Sequence, residues 1–200
     1  MRKLEFWYDF ASTYSYLSAM RIEAAAKPAD VEIIYRPFLL GPIFKAQGWT
    51  TSPFNLFPTK GRYMVRDIAR VASGRGVPFQ MPQAFPANGL HAARVALAGE
   101  AEGWIAPFTR AVFAAEFAEQ RDIADAAVLT SVLDRLGVDT QAALARSTSP
   151  EIKDRLRTQT EAASVRGIFG APTFITEDGE LFWGDDRLDQ AIGWTLHRAT

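Results

Sequence analysis

Residues 9–17 place a serine, Ser12, where an aromatic-rich strand gives way to a helix. Open α/β sheets bind ligands in the crevice at such strand ends, and the unpaired N–H groups at a helix start favour an anion or a thiolate. Ser12 would direct its hydroxyl into that crevice. The same serine also suits a helix N-cap, which stabilises a helix by about 1 kcal/mol. The two roles are compatible, so Ser12 is a candidate for both.

A proline directly before a predicted strand is the second candidate. Pro172 follows Ala171 and precedes the β-branched segment 173–176, and proline cannot donate to a sheet ladder. If the Ala171–Pro172 bond is cis, the backbone of Ala171 turns towards the crevice and can pair with an extended, peptide-like ligand. A trans proline that only begins the strand is the simpler alternative. Both remain open from the residues alone.

Carboxylates and cations supply the other candidates. Asp185 and Asp186 stand where the last predicted helix begins, either as caps or as acceptors for an ammonium group. The segment 41–58, rich in glycine, proline and aromatic residues, is predicted to be a long ordered loop, which is usually functional in a compact domain. This loop and the turn after it contain two cations, Lys45 and Lys60, that could pair with a ligand carboxylate. They also contain the amide of Asn55 and the indole of Trp49, which could stack on an aromatic substrate. The alternative is a surface loop pinned by its prolines.

Composition removes several classes of function. The 200 residues include no cysteine, which excludes disulfides, thiolate catalysis by the protein and cysteine-based metal sites. Only two histidines occur, so we expect no metal site. The net charge of −1 offers no basic field for nucleic acid or an anionic membrane. With no signal-peptide core and no long apolar run, we expect a cytoplasmic protein that binds neither nucleic acid nor membrane.

The predicted elements bring the candidates to one end of a sheet. Strands at 3–9 and 31–35 flank a helix at 14–27 and form a βαβ unit with parallel strands. Strands at 173–176 and 180–183, joined by an Asp178–Gly179 turn, precede a closing helix at 186–198. Between these outer pieces lie the long loop and six helices, at 60–74, 86–101, 104–119, 125–136, 139–147 and 149–165.

This order predicts an α/β protein with a thioredoxin-like fold that is interrupted by a large all-helical insertion. Residues 1–42 and 166–200 would form the thioredoxin-like domain, and residues 43–165 the loop and helical insertion. Both the serine turn and the proline turn then belong to the thioredoxin-like part.

Five short motifs occur in order along the chain, at 9–17, 35–41, 60–64, 170–172 and 182–188. Together they resemble the 2-hydroxychromene-2-carboxylate isomerases, relatives of the kappa-class glutathione transferases in the DsbA-like thioredoxin superfamily. The resemblance covers nearly the whole chain. It implies a DsbA-like fold in a homodimer that uses glutathione. It also implies a small aromatic carboxylate substrate from naphthalene degradation, with interconversion of 2-hydroxychromene-2-carboxylate and trans-o-hydroxybenzylidenepyruvate.

The resemblance also implies roles for individual residues. Ser12 matches the family's catalytic serine, and Pro172 matches its cis proline. Ala171 would offer backbone hydrogen bonds to the cysteinyl part of glutathione, and Lys60 would approach its glycyl carboxylate. The γ-glutamyl end would lie along the segment formed by Trp183, Gly184, Asp185 and Asp186.

The absence of cysteine fits a mechanism in which the ligand supplies the sulfur. A free thiol has a pKa of about 8.5, and a hydrogen bond from the Ser12 hydroxyl would favour the thiolate. We expect that thiolate to add reversibly to a conjugated carbon of the ring-opened substrate, allow rotation about the former double bond, and leave again. The alternatives are a kappa-type glutathione transferase or peroxidase acting on another electrophile, and a non-catalytic thioredoxin-like binding protein.

Overall fold

A computed structural model describes residues 1–196. Its four-stranded sheet has the order β2-β1-β3-β4, with strands β1 Arg2–Tyr8, β2 Val31–Pro37, β3 Thr173–Thr176 and β4 Leu181–Trp183. β1 and β2 are parallel, whereas β1–β3 and β3–β4 are antiparallel. The predicted strands and the α/β thioredoxin-like fold with helices inserted between β2 and β3 are therefore confirmed.

Alternation along β1 divides the interior into two clusters. Leu4, Phe6 and Tyr8 are fully buried on one face, where the Phe6 ring stacks on Tyr8 with centroids 4.8 Å apart. Trp7 points to the opposite face and joins a smaller cluster. Successive side chains of a strand point to opposite faces of the sheet, so β1 contributes to a buried cluster on each face. The Tyr8 hydroxyl also hydrogen-bonds Thr109 Oγ1 at 2.7 Å, which fastens the sheet to an inserted helix.

Helices account for most of the remaining chain. Their bounds are α1 Thr13–Ala19, α2 Ile22–Ala26, α3 Leu40–Ala46, α4 Pro53–Leu56, α5 Pro58–Gly74, α6 Leu90–Ala98, α7 Ile105–Phe117, α8 Ala126–Arg135, α9 Thr140–Ser147, α10 Pro150–Val165 and α11 Leu188–Leu196. Polar caps define several starts: the side chains of Asp125, Asp139 and Ser149 each accept a backbone N–H from the first turn. None of the helices within residues 1–196 is both long and apolar enough to cross a bilayer.

Three predicted boundaries were wrong. The predicted helix 14–27 is interrupted between α1 and α2 at Met20 and Arg21. The predicted loop 41–58 contains α3 and α4, because Pro42 and Pro53 lie in first turns, where proline is tolerated. The predicted helix 86–101 begins only at Leu90, whose N–H donates to the Asn88 side chain at 3.1 Å.

The division into two domains stays a prediction. One buried cluster contains residues from β1, α1 and the inserted helices α6, α7 and α8 alike. The sheet and the insertion thus share a core. The closing helix is described to Leu196, and its predicted end at Arg198 lies outside the described residues.

Candidate functional site

Ser12 is the N-cap of α1 and occupies the crevice end of β1. Its Oγ accepts the N–H of Ser15 at 3.1 Å, which confirms the predicted cap. The same hydroxyl donates to the carbonyl oxygen of Ala171 at 3.0 Å. Ser12 is largely buried, with 9% of its surface exposed. The two sequence candidates, the serine turn and the proline turn, are therefore in direct contact.

The proline turn contacts Ser12 and contains a backbone donor without a partner among residues 1–196. The Ala171–Pro172 bond is cis, as hypothesised. Its geometry is held from both sides: Gly184 N–H donates to the Pro172 carbonyl at 2.9 Å, and Thr173 Oγ1 donates to the Gly170 carbonyl at 2.9 Å. Within residues 1–196, the Ala171 N–H donates to no protein atom. A peptide-like ligand beside Ser12 would thus meet one free backbone donor.

Trp183 lies against this turn, and the turn leaves room for it only because residue 170 is glycine. A Cβ built on Gly170 would come within 2.4 Å of Trp183 Nε1. The indole also contacts the Phe169 ring, with centroids 4.9 Å apart, yet half of Trp183 stays exposed. Trp183 therefore forms an exposed aromatic rim beside Ala171.

The two aspartates before α11 have different surroundings. Asp185 is buried, accepts the Ser18 hydroxyl at 2.9 Å, and pairs with Arg75 at 2.6 Å and Arg21 at 3.4 Å. Two arginines and a hydroxyl compensate the cost of burying this carboxylate. Asp185 therefore joins α1 and α5 to the turn before α11, and its predicted contact with an ammonium group stays a prediction.

Asp186, in contrast, is open to solvent. Three quarters of its side chain is exposed, and its ion-pair partner within the described chain is the adjacent Arg187 at 3.5 Å. Across from it, the Tyr14 hydroxyl donates to Asp67 at 2.9 Å. Partial burial and that hydrogen bond raise the pKa of Tyr14, and the nearby charge of Asp186 raises it further. The charge of Asp186 is therefore felt at Tyr14 on α1.

The predicted contributors from α3 to α5 are spread along the surface. Lys60 is exposed in the first turn of α5, and Lys45 is exposed on α3. Trp49 packs on Phe44 at a centroid distance of 5.4 Å. Asn55 donates to Thr51 Oγ1 at 3.2 Å, so its amide serves the local turn. The contacts of Lys45, Trp49 and Asn55 give no sign of a ligand site, and their substrate role stays a prediction.

Sequence reasoning missed two buried carboxyl groups, Asp9 in the serine turn and Glu116 on α7. Asp9 accepts the N–H groups of Ala11 at 2.8 Å and Leu40 at 2.7 Å, which ties the serine turn to α3. Burial raises the pKa of Asp9, although these hydrogen bonds oppose the rise. Both carboxylate oxygens of Glu116 on α7 are buried without a hydrogen-bond partner among residues 1–196. Burial, with the charges of Asp9 and Asp122, raises the pKa of Glu116 well above its usual value.

An apolar gap directly after Ser12 was also missed. It lies between α1, α4, α5 and the α5–α6 connection and is too narrow to hold a water molecule. Its lining is Thr13, Phe54, Met64, Val65, Ile68 and Met81. The helical period in 60–74 could have shown that Met64, Val65 and Ile68 share the buried face of α5. No group of side chains within 1–196 has the composition and proximity to hold a metal ion.

The sheet is mixed, and its first strand leads into a helix capped by Ser12, which faces the cis Pro172. Helices are inserted between β2 and β3. These features together define a protein of the thioredoxin-like class. The chain belongs to the DsbA-like thioredoxin family, because the family model described as DSBA-like thioredoxin domain matches residues 3–192. This confirms the resemblance that the sequence motifs indicated.

Individual relatives span almost the whole chain. A 2-hydroxychromene-2-carboxylate isomerase of Pseudomonas putida is 30% identical over 92% of this chain and 90% of its own length. The human glutathione S-transferase kappa 1 is 26% identical over 94% of this chain and 88% of its own. A solved structure of 2-hydroxychromene-2-carboxylate isomerase superposes with a TM-score of 0.86 at 28% identity, and covers 96% of this chain and 95% of its own.

Proposed function

We propose that the protein is a glutathione-dependent isomerase that interconverts 2-hydroxychromene-2-carboxylate and trans-o-hydroxybenzylidenepyruvate. The observation that carries the proposal is the contact of the Ser12 hydroxyl with Ala171 in a chain without cysteine. A DsbA-like frame with serine at this turn has a polar donor at its reactive position and no sulfur of its own. The named isomerases and transferases that the chain resembles support glutathione as the source of that sulfur.

The residues around Ser12 fit a small peptide. The free N–H of Ala171 is a donor for the backbone of an extended cysteinyl residue, in the manner of strand addition. The exposed carboxylate of Asp186 is an acceptor for the γ-glutamyl ammonium group, and the exposed Lys60 is a cation for the glycyl carboxylate. Trp183 and Gly184 form the wall between Asp186 and Ala171.

Glutathione, when bound, would supply a nucleophilic sulfur that adds reversibly to a conjugated carbon. The role of Ser12 is to donate a hydrogen bond from its hydroxyl to that sulfur and so favour the thiolate. Asp9 holds the turn by accepting the Ala11 N–H, which fixes the position of the serine backbone. Asp186 and Lys60 fix the two ends of the peptide, so the direction of the sulfur is set before the substrate arrives.

Titration calorimetry with reduced glutathione tests this proposal. We expect saturable binding to the protein, and weaker binding to Asp186→Asn. Asp154→Asn serves as the matched control, because Asp154 is an equally exposed acid on α10, away from the crevice. Glutathione binding, together with interconversion of the two aromatic acids in an activity assay, would support the isomerase. Absence of binding up to millimolar glutathione would overturn the proposal and favour a non-catalytic binding protein.

A kappa-type transferase is the second candidate, favoured by the similarity to human glutathione S-transferase kappa 1 over nearly the full chain. Product analysis separates the two reactions. A transferase consumes glutathione and an isomerase does not.

We also infer a cytoplasmic homodimer in aromatic catabolism, as the family resemblance of the sequence motifs implies. Light scattering of the purified protein tests the dimer directly. A monomeric mass across the micromolar range would contradict it.

A further inference from the structure

A cavity of about 520 Å³ lies on the Trp7 face of the sheet, away from the cluster that contains Phe6 and Tyr8. Trp7 and Ala162 give it an apolar floor, and charged side chains from β1, β2, α10 and the end of α10 surround that floor. The residues proposed to bind glutathione lie elsewhere. We call this cavity, which is bounded by Trp7, Arg36, Arg155 and Arg166, the α10 groove.

Three arginines of the groove are joined by two glutamates into one row of alternating charge. Glu5 pairs with Arg36 at 3.3 Å and also with Arg166. Glu100, which follows α6, pairs with Arg36 at 3.7 Å and also with Arg155. The row has three positive and two negative charges, so one positive charge is in excess.

Arg155 stands at the end of this row and retains donors for a ligand. Its ion-pair partner within the described chain is Glu100, whereas a guanidinium has five N–H donors. Burial and the charge of Arg36 lower the pKa of Arg155, because the two positive groups lie near each other in a half-buried position. An anion placed beside both arginines would relieve that repulsion.

The size and the floor of the groove favour an organic anion over an inorganic one. The volume equals that of roughly 17 water molecules at about 30 Å³ each, and it falls within the range of small-molecule sites. On the floor, the Arg166 guanidinium lies 5.6 Å from the centroid of the Trp7 ring. An apolar ring or chain can cover this floor while its anionic group contacts Arg36 and Arg155.

The acidic side chains limit the charge of the ligand. Glu5 and Glu100 belong to the row, and the exposed Glu151 and Asp154 also line the groove or its rim. A phosphate dianion would meet these carboxylates after the single excess positive charge is neutralised. A carboxylate carries one negative charge and matches the planar fork of a guanidinium.

We propose that the α10 groove binds a small organic carboxylate, which pairs with Arg36 and Arg155 and places its apolar part on the floor at Trp7. Arg36 belongs to the sequence motif at 35–41, to which the proposed function gives no role. This site does not depend on the proposed function, because it needs neither glutathione nor Ser12.

Fluorine NMR of protein labelled with 5-fluorotryptophan tests the site, with benzoate as the probe. The chain has five tryptophans, Trp7, Trp49, Trp104, Trp183 and Trp194, and each signal can be assigned by substitution. Benzoate added at constant ionic strength should move the Trp7 signal saturably, since Trp7 lines the groove and its Nε1 donates to Glu5 at 2.9 Å. The Trp194 signal should stay in place, because Trp194 packs on Phe182 of the other cluster.

Two further ligands test the chemistry of the site. Benzyl alcohol has a ring without the charge and should leave the Trp7 signal in place, and phenyl phosphate should bind more weakly than benzoate. A stationary Trp7 signal up to tens of millimolar benzoate, or an equal shift with benzyl alcohol, would overturn the proposal. A shift of Trp183 alone would place benzoate at the Ser12 crevice and would also overturn it.

Substitution of Arg155 gives a second readout. Arg155→Gln should weaken benzoate binding about tenfold, as expected for the loss of one charged hydrogen bond. Arg135→Gln is the matched control, because Arg135 is an exposed arginine on α8 that pairs with Glu119 outside the groove. Arg155→Lys keeps the charge without the planar fork and should bind with intermediate affinity. Circular dichroism checks that each variant is folded, and parent-like affinity in both Arg155 variants would contradict the site.

Discussion

The hydroxyl of Ser12 donates to the carbonyl oxygen of Ala171 across 3.0 Å, although 159 positions separate the two residues. The Ser12 hydroxyl oxygen also accepts the Ser15 N–H. Because a hydroxyl has one proton, donation to a ligand sulfur must replace donation to Ala171. The contact thus keeps the Ser12 hydroxyl directed towards the proline turn. A ligand sulfur there would have to displace this one hydrogen bond.

Removal of that hydroxyl should separate catalysis from binding. Ser12→Ala is expected to lower turnover roughly a hundredfold, the effect of removing one donor to a developing anion, while glutathione affinity falls less than tenfold. The lost cap should also reduce the free energy of unfolding by about 1 kcal/mol. Steady-state kinetics, calorimetry and urea unfolding measure the three quantities. Ser149→Ala removes the equivalent cap of α10 and should keep full activity; unchanged turnover in Ser12→Ala would contradict the role.

Substitution of Asp185 should lower stability, whereas substitution of the adjacent Asp186 should lower glutathione affinity. Asp185→Asn breaks a buried arrangement with Arg21 and Arg75, and is expected to cost about 3 kcal/mol of stability. Asp186→Asn removes an exposed carboxylate and should leave the unfolding free energy unchanged, while it weakens glutathione binding about tenfold. Thermal unfolding and calorimetry on both variants check the contrast. Similar losses of stability in Asp185→Asn and Asp186→Asn would show that the difference in burial does not determine the effect of the substitution.

Glu116 should make stability depend on pH. Its pKa is raised in the folded protein, so folding favours its protonated form, and stability falls as pH rises above the usual value of 4.5. Glu116→Gln cannot ionise. Its stability relative to the parent should therefore grow with pH above that value, by up to about 1.4 kcal/mol per unit. Denaturant unfolding across pH measures the difference, and Asp9 and Asp122, which face Glu116, are retained in both proteins.

Glu151→Gln provides the control for that titration, because Glu151 is exposed in the first turn of α10. Its difference from the parent should show no comparable rise with pH. A flat difference for Glu116→Gln would mean that Glu116 ionises in the folded protein as readily as it does in the unfolded chain.

Gly61 should be intolerant of a side chain. A Cβ at this position would meet the Phe54 carbonyl oxygen at 2.5 Å, and a backbone oxygen can yield only if α4 shifts. Gly61→Ala is expected to cost about 2 kcal/mol, as other cases of overpacking do. Gly74→Ala, at the other end of α5, meets nothing within 4 Å and should be neutral or stabilising. Urea unfolding compares the pair, and equal stability of the two variants would contradict the close packing of α4 on α5.

Much of the fold followed from local patterns. Aromatic and β-branched runs located β1 and β3, and the Asp178–Gly179 turn located the hairpin before β4. Ser12 and Pro172 were found because each residue type has a restricted place at an element boundary. These signals depend on neighbours in sequence, which is why they could be read directly.

The errors have a different origin. The loop predicted at 41–58 contains two helices because glycine and proline indicate loops in general but are tolerated in a first helical turn. The burial of Asp185 depends on Arg21 and Arg75, and no local pattern relates residues so distant in sequence. Glu116 is a charged residue between Phe113 and Phe117, and its burial follows from tertiary packing alone.

The antiparallel pairing of β1 with β3 has a consequence for synthesis. Ser12 leaves the ribosome early, but its partner Ala171 and the strand beside it are added only after the whole helical block. A nascent or truncated chain holds the serine without the backbone that faces it. The contact between Ser12 and Ala171 therefore forms only after translation has passed β3, so incomplete products lack the paired serine and proline turns.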